Sequence, residues 1–460
     1  MSAGGGSAAS RLRDGLVEVL SRRLGHPVEV DLPVRLSGGA SRETWTFTAV
    51  DVRDGTARRL VVQRERPGGM RSSGMDVEGR LLAAAARSGA PVAEVVATDA
   101  GDTEVLGGPF LVMAHVDGET IPRRLLRDEA FAAARAGLAR QAGAALAAIH
   151  RIPPGDVDGL ARPEQVGQFR DLLDQLGAAH PAFELGLRWL EANRPPEVPA
   201  SVVHGDFRTG NLLVGPDGLR AVLDWELSHL GDPAEDLGWF CVRAWRFGSP
   251  NRAGGFGPVG ELLAGYAEAG GDPPDPDRLR WWEAMGTLKW GVMCIVQAST
   301  HLHGLHRSVE LAAIGRRVAE NEEDLLHLLA GPDPYEPVAA TGADPRPAPF
   351  GRPSAGELLE AVGEYLGDVR DGVEGRLGFH ARVAANVVAM VRREIELGPA
   401  AAGRHAARLA ALGAADDAAL AAAIRAGDHD DRLDDVIVLV RASVRDALAV
   451  ANPGYWEDHR

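Results

Sequence analysis

Apolar residues recur every three or four positions over 9–24, with Leu12, Leu16, Val19 and Leu20 on one stripe, which predicts an amphipathic helix. The period then changes. EVDLPVRLSGGASRETWTFTAVDVRDGTARRLVVQRERP alternates apolar and polar side chains, with turn signals at Ser37-Gly38-Gly39 and Asp54-Gly55, and reads as antiparallel strands. A helical pattern returns over 74–91, closed by Gly89 and Pro91, and two more strand-like runs lie near 93–99 and 109–116. From about 125 to 330 the pattern is mostly helical. The exception is 201–226, where Val202-Val203, Leu212-Leu213-Val214 and Ala221-Val222-Leu223 alternate with polar loops and predict two short strands flanking a loop. Seven prolines in the 23 residues 331–353 remove backbone donors and hold φ, so this stretch reads as an extended linker. Residues 354–460 are helical again, with Val383, Val387, Met390 and Val391 as a bundle stripe and breaks expected near Gly398-Pro399 and over 427–435.

Composition narrows the class. A chain of 460 residues implies about two or three folding units. With 49 basic and 65 acidic residues the net charge is −16, which argues against a general nucleic-acid or anionic-membrane binder while leaving room for a local phosphate pocket. Cys241 and Cys294 form neither a disulfide framework nor a zinc spacing, so a reducing compartment is expected. The opening MSAGGGSAASRLRDG lacks an apolar signal core and no uninterrupted apolar stretch has membrane length, so the expected location is cytoplasmic. Only one lysine, Lys289, occurs among the basic residues.

The informative segment is 201–236, SVVHGDFRTGNLLVGPDGLRAVLDWELSHLGDPAED. Phosphoryl transfer needs a carboxylate to orient and deprotonate the acceptor hydroxyl. It also needs an amide and a second carboxylate to hold Mg²⁺, and a cation to meet the transferred charge. Asp206 and Asn211 bracket a short loop, and Asp224 follows 13 residues later at the end of an apolar strand. Acid, amide and acid thereby sit at the tips of neighbouring strands.

HGDFRTGN (204–211) followed by LDWE (223–226) resembles the small-molecule kinases of the aminoglycoside phosphotransferase and choline kinase type. That resemblance implies an α+β, bilobal protein-kinase-like fold: a small antiparallel sheet lobe over 1–117 and a mostly helical lobe over 118–330. The linker 331–353 and a small all-α helical accessory domain over 354–460 follow. It implies ATP and Mg²⁺ as cofactors, Asp206 as catalytic base, Asn211 and Asp224 as Mg²⁺ ligands, and Arg208 in the place of the catalytic-loop lysine. His204 is then a scaffold residue within the loop, and Asp236 of GDPAEDL braces the loop from the next helix.

In the sheet lobe, Ser37, Gly38 and Gly39 are candidates for the turn over the phosphates. The family's third strand carries a cation paired with a helix glutamate. Here it reads Leu60-Val61-Val62-Gln63-Arg64, so Gln63 falls where the cation is expected, and Arg64 paired with Glu78 is the candidate. GPFLVMAHVDGE (108–119) resembles the strand entering the interdomain hinge, with adenine on the backbone of Ala114 to Val116 and Met113 behind it.

Other matches carry less. The GxGxxG at Gly255, Gly257 and Gly260 follows no strand and is interrupted by Pro258, and no P-loop occurs. His301 and His303 point apart on a helix, and DHDDRLDD (428–435) lacks the glycine and closing glutamate of a calcium loop. LRWWEAMGTLKWGVMCIVQASTHLHG (279–304) and LAAIGRRVAENEEDLLHLL (311–329) resemble the branch of kinase-like domains attached to certain acyl-CoA dehydrogenases. That implies a hydroxyacyl-CoA or related acyl alcohol as acceptor, with Trp281, Trp282, Trp290 and Met293 as candidate acyl-channel residues and Lys289, Arg316 or Arg317 near CoA phosphates. The alternatives are an antibiotic kinase for aminoglycosides or macrolides, and a catalytically silent nucleotide- or CoA-binding relative. The tail 354–460 resembles a helical domain of unknown function, suited to docking or homodimerisation.

Overall fold

The alternation over 28–65 is realised as β1 (Val28–Val30), β2 (Val34–Arg35), β3 (Arg42–Asp51) and β4 (Ala57–Glu65) in a computed structural model. It describes residues 3–36, 42–65, 74–99, 103–333 and 353–455. Ser37, Gly38 and Gly39, and most of the proline-rich stretch, lie outside the described residues. With β5 (Val95–Thr98) and β6 (Phe110–Ala114) the strands form an antiparallel sheet of order β1-β3-β4-β6-β5, with β2 pairing β3. In the β3–β4 register Thr44 faces Gln63 and Arg42 faces Glu65. The helix α1 (Ala3–Leu24) covers one face, burying Leu12, Leu16, Val19 and Leu20 against Trp45, Phe47, Leu60, Val62 and Phe110. Fully burying a side chain of this size contributes about 1.5–3 kcal/mol, so this apolar stripe is what holds α1 to the sheet. The helix α2 (Met75–Ser88) ends where Gly89 takes φ 86°, a left-handed cap suited to glycine.

The chain divides into two compact units, residues 1–163 with 196–279, and 164–195 with 280–460. The first unit also contains α3 (Thr103–Leu106), α4 (Pro122–Arg127) and α5 (Ala132–His150). Four short strands follow: β7 (Ser201–Val203), β8 (Leu212–Gly215), β9 (Gly218–Val222) and β10 (His229–Gly231). They pair as two antiparallel ribbons, β7 with β10 and β8 with β9, where the alternation over 201–226 predicted only two strands. The helices α8 (Ala234–Cys241) and α9 (Val259–Glu268) complete the unit. Its core gathers Leu81 and Leu82 of α2, Leu138 and Leu146 of α5, and Phe207, Trp225 and Phe240 around the loops between the ribbons. Loops packed this way cannot slide independently of the helices, so the polar side chains they carry are held in place.

The second unit is all helical: α6 (Gln165–Leu176), α7 (Pro181–Ala192), most of α10 (Pro276–Leu302), α11 (Val309–Ile314) and α12 (Val318–Ala330), then α13 (Ala355–Gly372), α14 (Gly375–Leu412), α15 (Asp417–Ala426) and α16 (Leu433–Ala451). Leu185 of α7 and Leu326 of α12 share a core with Leu409, Leu420, Val440 and Leu448. The helix α12 also buries acidic side chains: Glu323 lies 2.8 Å from Arg441 and 3.4 Å from Arg445. The break expected at Gly398-Pro399 is absent. α14 runs through Pro399, because contacts with α13 and α16 hold it in spite of the lost backbone hydrogen bond. No helix among the described residues is long and apolar enough to cross a membrane.

Candidate active site

The loop from β7 to β8 is held from behind by one buried carboxylate. Asp236, in the first turn of α8, accepts the backbone N–H of His204 at 2.7 Å and of Gly205 at 2.9 Å. His150 Nε2 lies 3.1 Å from the same group. Burial pushes the Asp236 carboxyl up, but the His150 hydrogen bond and the charges and N–H groups around it outweigh burial and hold it below the ordinary range. Gly205 takes φ 78°, and a Cβ there would sit 2.4 Å from the Leu227 carbonyl oxygen, so only glycine fits.

His204 is fully buried, and burial pushes its imidazole pKa down. Its Nε2 faces the Leu223 carbonyl at 3.1 Å and so carries the proton, leaving Nδ1 to accept the Asp206 N–H at 3.2 Å. A neutral histidine thus ties the strand leading to Asp224 to the backbone of Asp206.

The Asp206 carboxylate is gripped from three directions. Asn211 Nδ2 donates to its Oδ2 at 2.7 Å and to its backbone carbonyl at 2.9 Å. Trp239 of α8 donates its indole N–H to Oδ1 at 3.1 Å. Arg208 Nε lies 3.1 Å from Oδ2, and its guanidinium stacks 5.1 Å from the Trp245 ring centroid. Among the described residues, both terminal nitrogens of Arg208 are left over. The amide nitrogen of Asn211 being used, its Oδ1 remains as an acceptor. Thr209, buried, ties the same loop to the carbonyl of Gly254 at 2.7 Å.

Asp224 sits at φ 66°, an uncommon left-handed backbone for a residue other than glycine. Its carboxyl is pushed up to about 6, first by burial and then by the charges of Glu226 and Asp206. Arg42 offsets only part of this.

Glu78 is not paired with Arg64, and that expectation is corrected. Arg64 donates to Glu43 at 2.5 Å and to the Leu106 carbonyl at 2.6 Å. Neighbouring strand positions face opposite ways, so Gln63 rather than Arg64 shares the Glu78 face. Glu78 is held by Arg42 through both oxygens, at 2.8 and 2.7 Å. Arg42 also donates to Gln63 Oε1 at 2.9 Å and Glu226 Oε2 at 3.3 Å.

Asp206, Asp224, Glu226 and Glu78 therefore meet two guanidiniums, Arg42 and Arg208, in one electrostatic neighbourhood. The free Asn211 Oδ1 and the Asp224 carboxylate are hard oxygen donors of the kind that suit Mg²⁺. No group of three or more His, Cys, Asp or Glu able to hold a metal occurs among the described residues, so water and phosphate oxygens would complete the shell of such an ion.

At the expected hinge, the Ala114 N–H is taken by the Glu94 carbonyl and the His115 N–H by the Arg59 carbonyl, each at 2.9 Å. Of the proposed nucleotide contacts, this leaves the Val116 amide as the donor, with Met113 half-buried on β6 nearby. Trp281 does not line a channel: it is buried and donates to the Leu190 carbonyl at 2.8 Å in the core of the second unit.

Sequence reasoning missed Arg42, Trp239 and Glu226 as neighbours of the site. For Arg42 a signal existed: it lies two residues before Thr44, which faces Gln63, so it is Gln63's diagonal neighbour on the same face. Trp239 had none, since its meeting with Asp206 depends on how α8 packs.

A sheet lobe and a helical portion carrying an acid, an amide and an acid in one loop system define a phosphotransferase. A model of the phosphotransferase enzyme family matches residues 34–282, more than half of the chain, and the chain belongs to that family of kinases acting on small-molecule hydroxyls. Residues 371–455 match a domain of unknown function, DUF6285. The chain is 30% identical over 206 residues to acyl-CoA dehydrogenase family member 10 of Mus musculus, covering 40% of this chain and 18% of that protein. It is 30% identical over 239 residues to acyl-CoA dehydrogenase family member 11 of Homo sapiens, covering 47% and 30%. The matched stretches thus span less than a third of these curated relatives. Among solved structures, a candidate aminoglycoside phosphotransferase from Ralstonia eutropha JMP134 aligns with a TM-score of 0.54 at 21% identity, covering 69% of this chain and 97% of that one, and shares the fold.

Proposed function

We propose that the protein transfers the γ-phosphoryl group of ATP to the hydroxyl of a small molecule carried on an acyl chain, a hydroxyacyl-CoA or related acyl alcohol. The observation that carries the transfer reading is the convergence of Asp206, Asn211 and Asp224, whose carboxylates act on each other's charge while Asn211 grips Asp206. Asn211 Oδ1 and Asp224 would hold Mg²⁺, which when bound supplies positive charge against the phosphate oxygens.

Asp206 acts on the acceptor. Held by Asn211, Trp239 and Arg208, its carboxylate orients the hydroxyl and accepts its proton as the new O–P bond forms and the bond to the departing ADP breaks. The proton then leaves Asp206 to solvent. The terminal nitrogens of Arg208 meet charge on the transferred group. The Val116 amide and Met113 would receive the purine. The names of the relatives, acyl-CoA dehydrogenase family members, support an acyl acceptor.

The test is mass spectrometry for a phosphate adduct after incubation with Mg-ATP and a panel of hydroxyacyl-CoAs, aminoglycosides, macrolides and amino alcohols. A phosphorylated hydroxyacyl-CoA, absent with Asp206→Asn, is expected. An adduct on an antibiotic alone overturns the acyl assignment. No adduct on any alcohol, with Mg-ATP still raising the melting temperature, replaces the enzyme with a silent nucleotide binder.

A further inference from the structure

We propose that Arg42 grips the nucleotide phosphates in this chain, the cation having moved from β4 to its neighbour β3, with Gln63 as its holder and Glu226 as its exchangeable partner. This rests on the phosphoryl-transfer reading and adds to it a residue outside the expected strand.

The argument begins with charge. Polyphosphate must meet a fixed cation, and the position on β4 facing Glu78 is a glutamine. Lys289 is the only lysine of the chain and lies on α10, in the second unit. Arg64 is spent on Glu43 and the Leu106 carbonyl. Arg42 is the guanidinium that Glu78 holds, and it lies close enough to Asp224 to act on that residue's charge.

Geometry then says which contact yields. The Glu78 bonds are short, bidentate and buried, and the Gln63 bond on the same Nη1 is a single one of 2.9 Å, part-buried. The Glu226 contact is the longest at 3.3 Å, and the Glu226 side chain is 28% exposed while Arg42's is 5%. A phosphate oxygen arriving at Nη2 would displace Glu226 and leave the Glu78 fork intact. Arg42 Nε, also buried, has no hydrogen-bond partner among the described residues. The guanidinium therefore keeps a donor beyond those that Glu78, Gln63 and Glu226 take. A planar fork anchored on one edge presents its other edge in a set orientation, which a flexible ammonium would not.

Calorimetric titration of the full chain with Mg-ATP and, separately, with adenosine tests this. Arg42→Gln is expected to weaken Mg-ATP about 30-fold or more while changing adenosine less than about threefold, because only the phosphates meet the guanidinium. The double variant Arg42→Gln with Gln63→Arg returns a cation to β4 and should recover at least about tenfold of that loss. Glu226→Gln removes the competitor and should tighten Mg-ATP by about two- to fivefold. If Arg42→Gln binds Mg-ATP as the wild type does, or weakens ATP and adenosine alike, the assignment is overturned and the kinase reading stands. If Arg42→Gln does not fold, Glu226→Gln decides: unchanged or weaker Mg-ATP binding overturns the assignment. A wild-type chain that binds no Mg-ATP ends both readings.

Discussion

Asn211 donates one amide to both the side chain and the backbone carbonyl of Asp206, at 2.7 and 2.9 Å, so carboxylate and amide move as one body. Replacing the proposed base separates its chemistry from this scaffold, since an asparagine can hold the loop but cannot take a proton. Asp206→Asn is expected to lower kcat by about 10²–10⁴-fold with Mg-ATP affinity changed little, measured by steady-state kinetics and calorimetry.

Asp224 sets a pH dependence. Its folded pKa of about 6 lies above its ordinary value of 3.8, so the native chain binds more protons than the unfolded one between these values, and stability falls as pH rises through that window. Above about pH 7 the ionised side chain is a liability of roughly 3 kcal/mol in the metal-free protein. Asp224→Asn should therefore raise the melting temperature in chelator at pH 7.5, and the gain should vanish near pH 4. A variant that melts lower at both pH values would contradict this.

Gly205→Ala puts a methyl 2.4 Å from the Leu227 carbonyl at a φ of 78°. The strain is expected to cost about 1–3 kcal/mol and to lower kcat as well, because the displaced backbone carries the next residue, Asp206. Denaturant melts and kinetics on one preparation report both.

Arg64 and Arg42 should differ sharply. Arg64 makes a partly exposed pair with Glu43, so Arg64→Gln should cost less than about 1 kcal/mol. Arg42→Gln strands a buried Glu78 and should cost about 3–5 kcal/mol. Equal losses in urea melts would show that burial does not separate these two cations.

In the second unit, Glu323 faces Arg441 and Arg445, all three buried. Glu323→Gln should destabilise by about 3–5 kcal/mol, whereas replacing all three with apolar residues should restore much of the loss. Thermal melts of both variants distinguish lost charge balance from lost packing.

Local chemistry was legible from the chain alone. The 3.6-residue stripe of α1, the alternation of β3 and β4, the glycine after α2 and the spacing of Asp206, Asn211 and Asp224 are properties of short segments, whose hydrogen-bonding and burial needs are written in neighbouring residues. The sequence by itself thereby determined the family and the acid–amide–acid motif. Only the tertiary structure decided which cation holds Glu78, that Trp239 reaches Asp206, and that residues 164–195 join 280–460 in one unit. Those contacts link segments far apart in the chain. An ion pair or a shared core is selected by which surfaces meet when everything else is buried, and no local pattern carries that information.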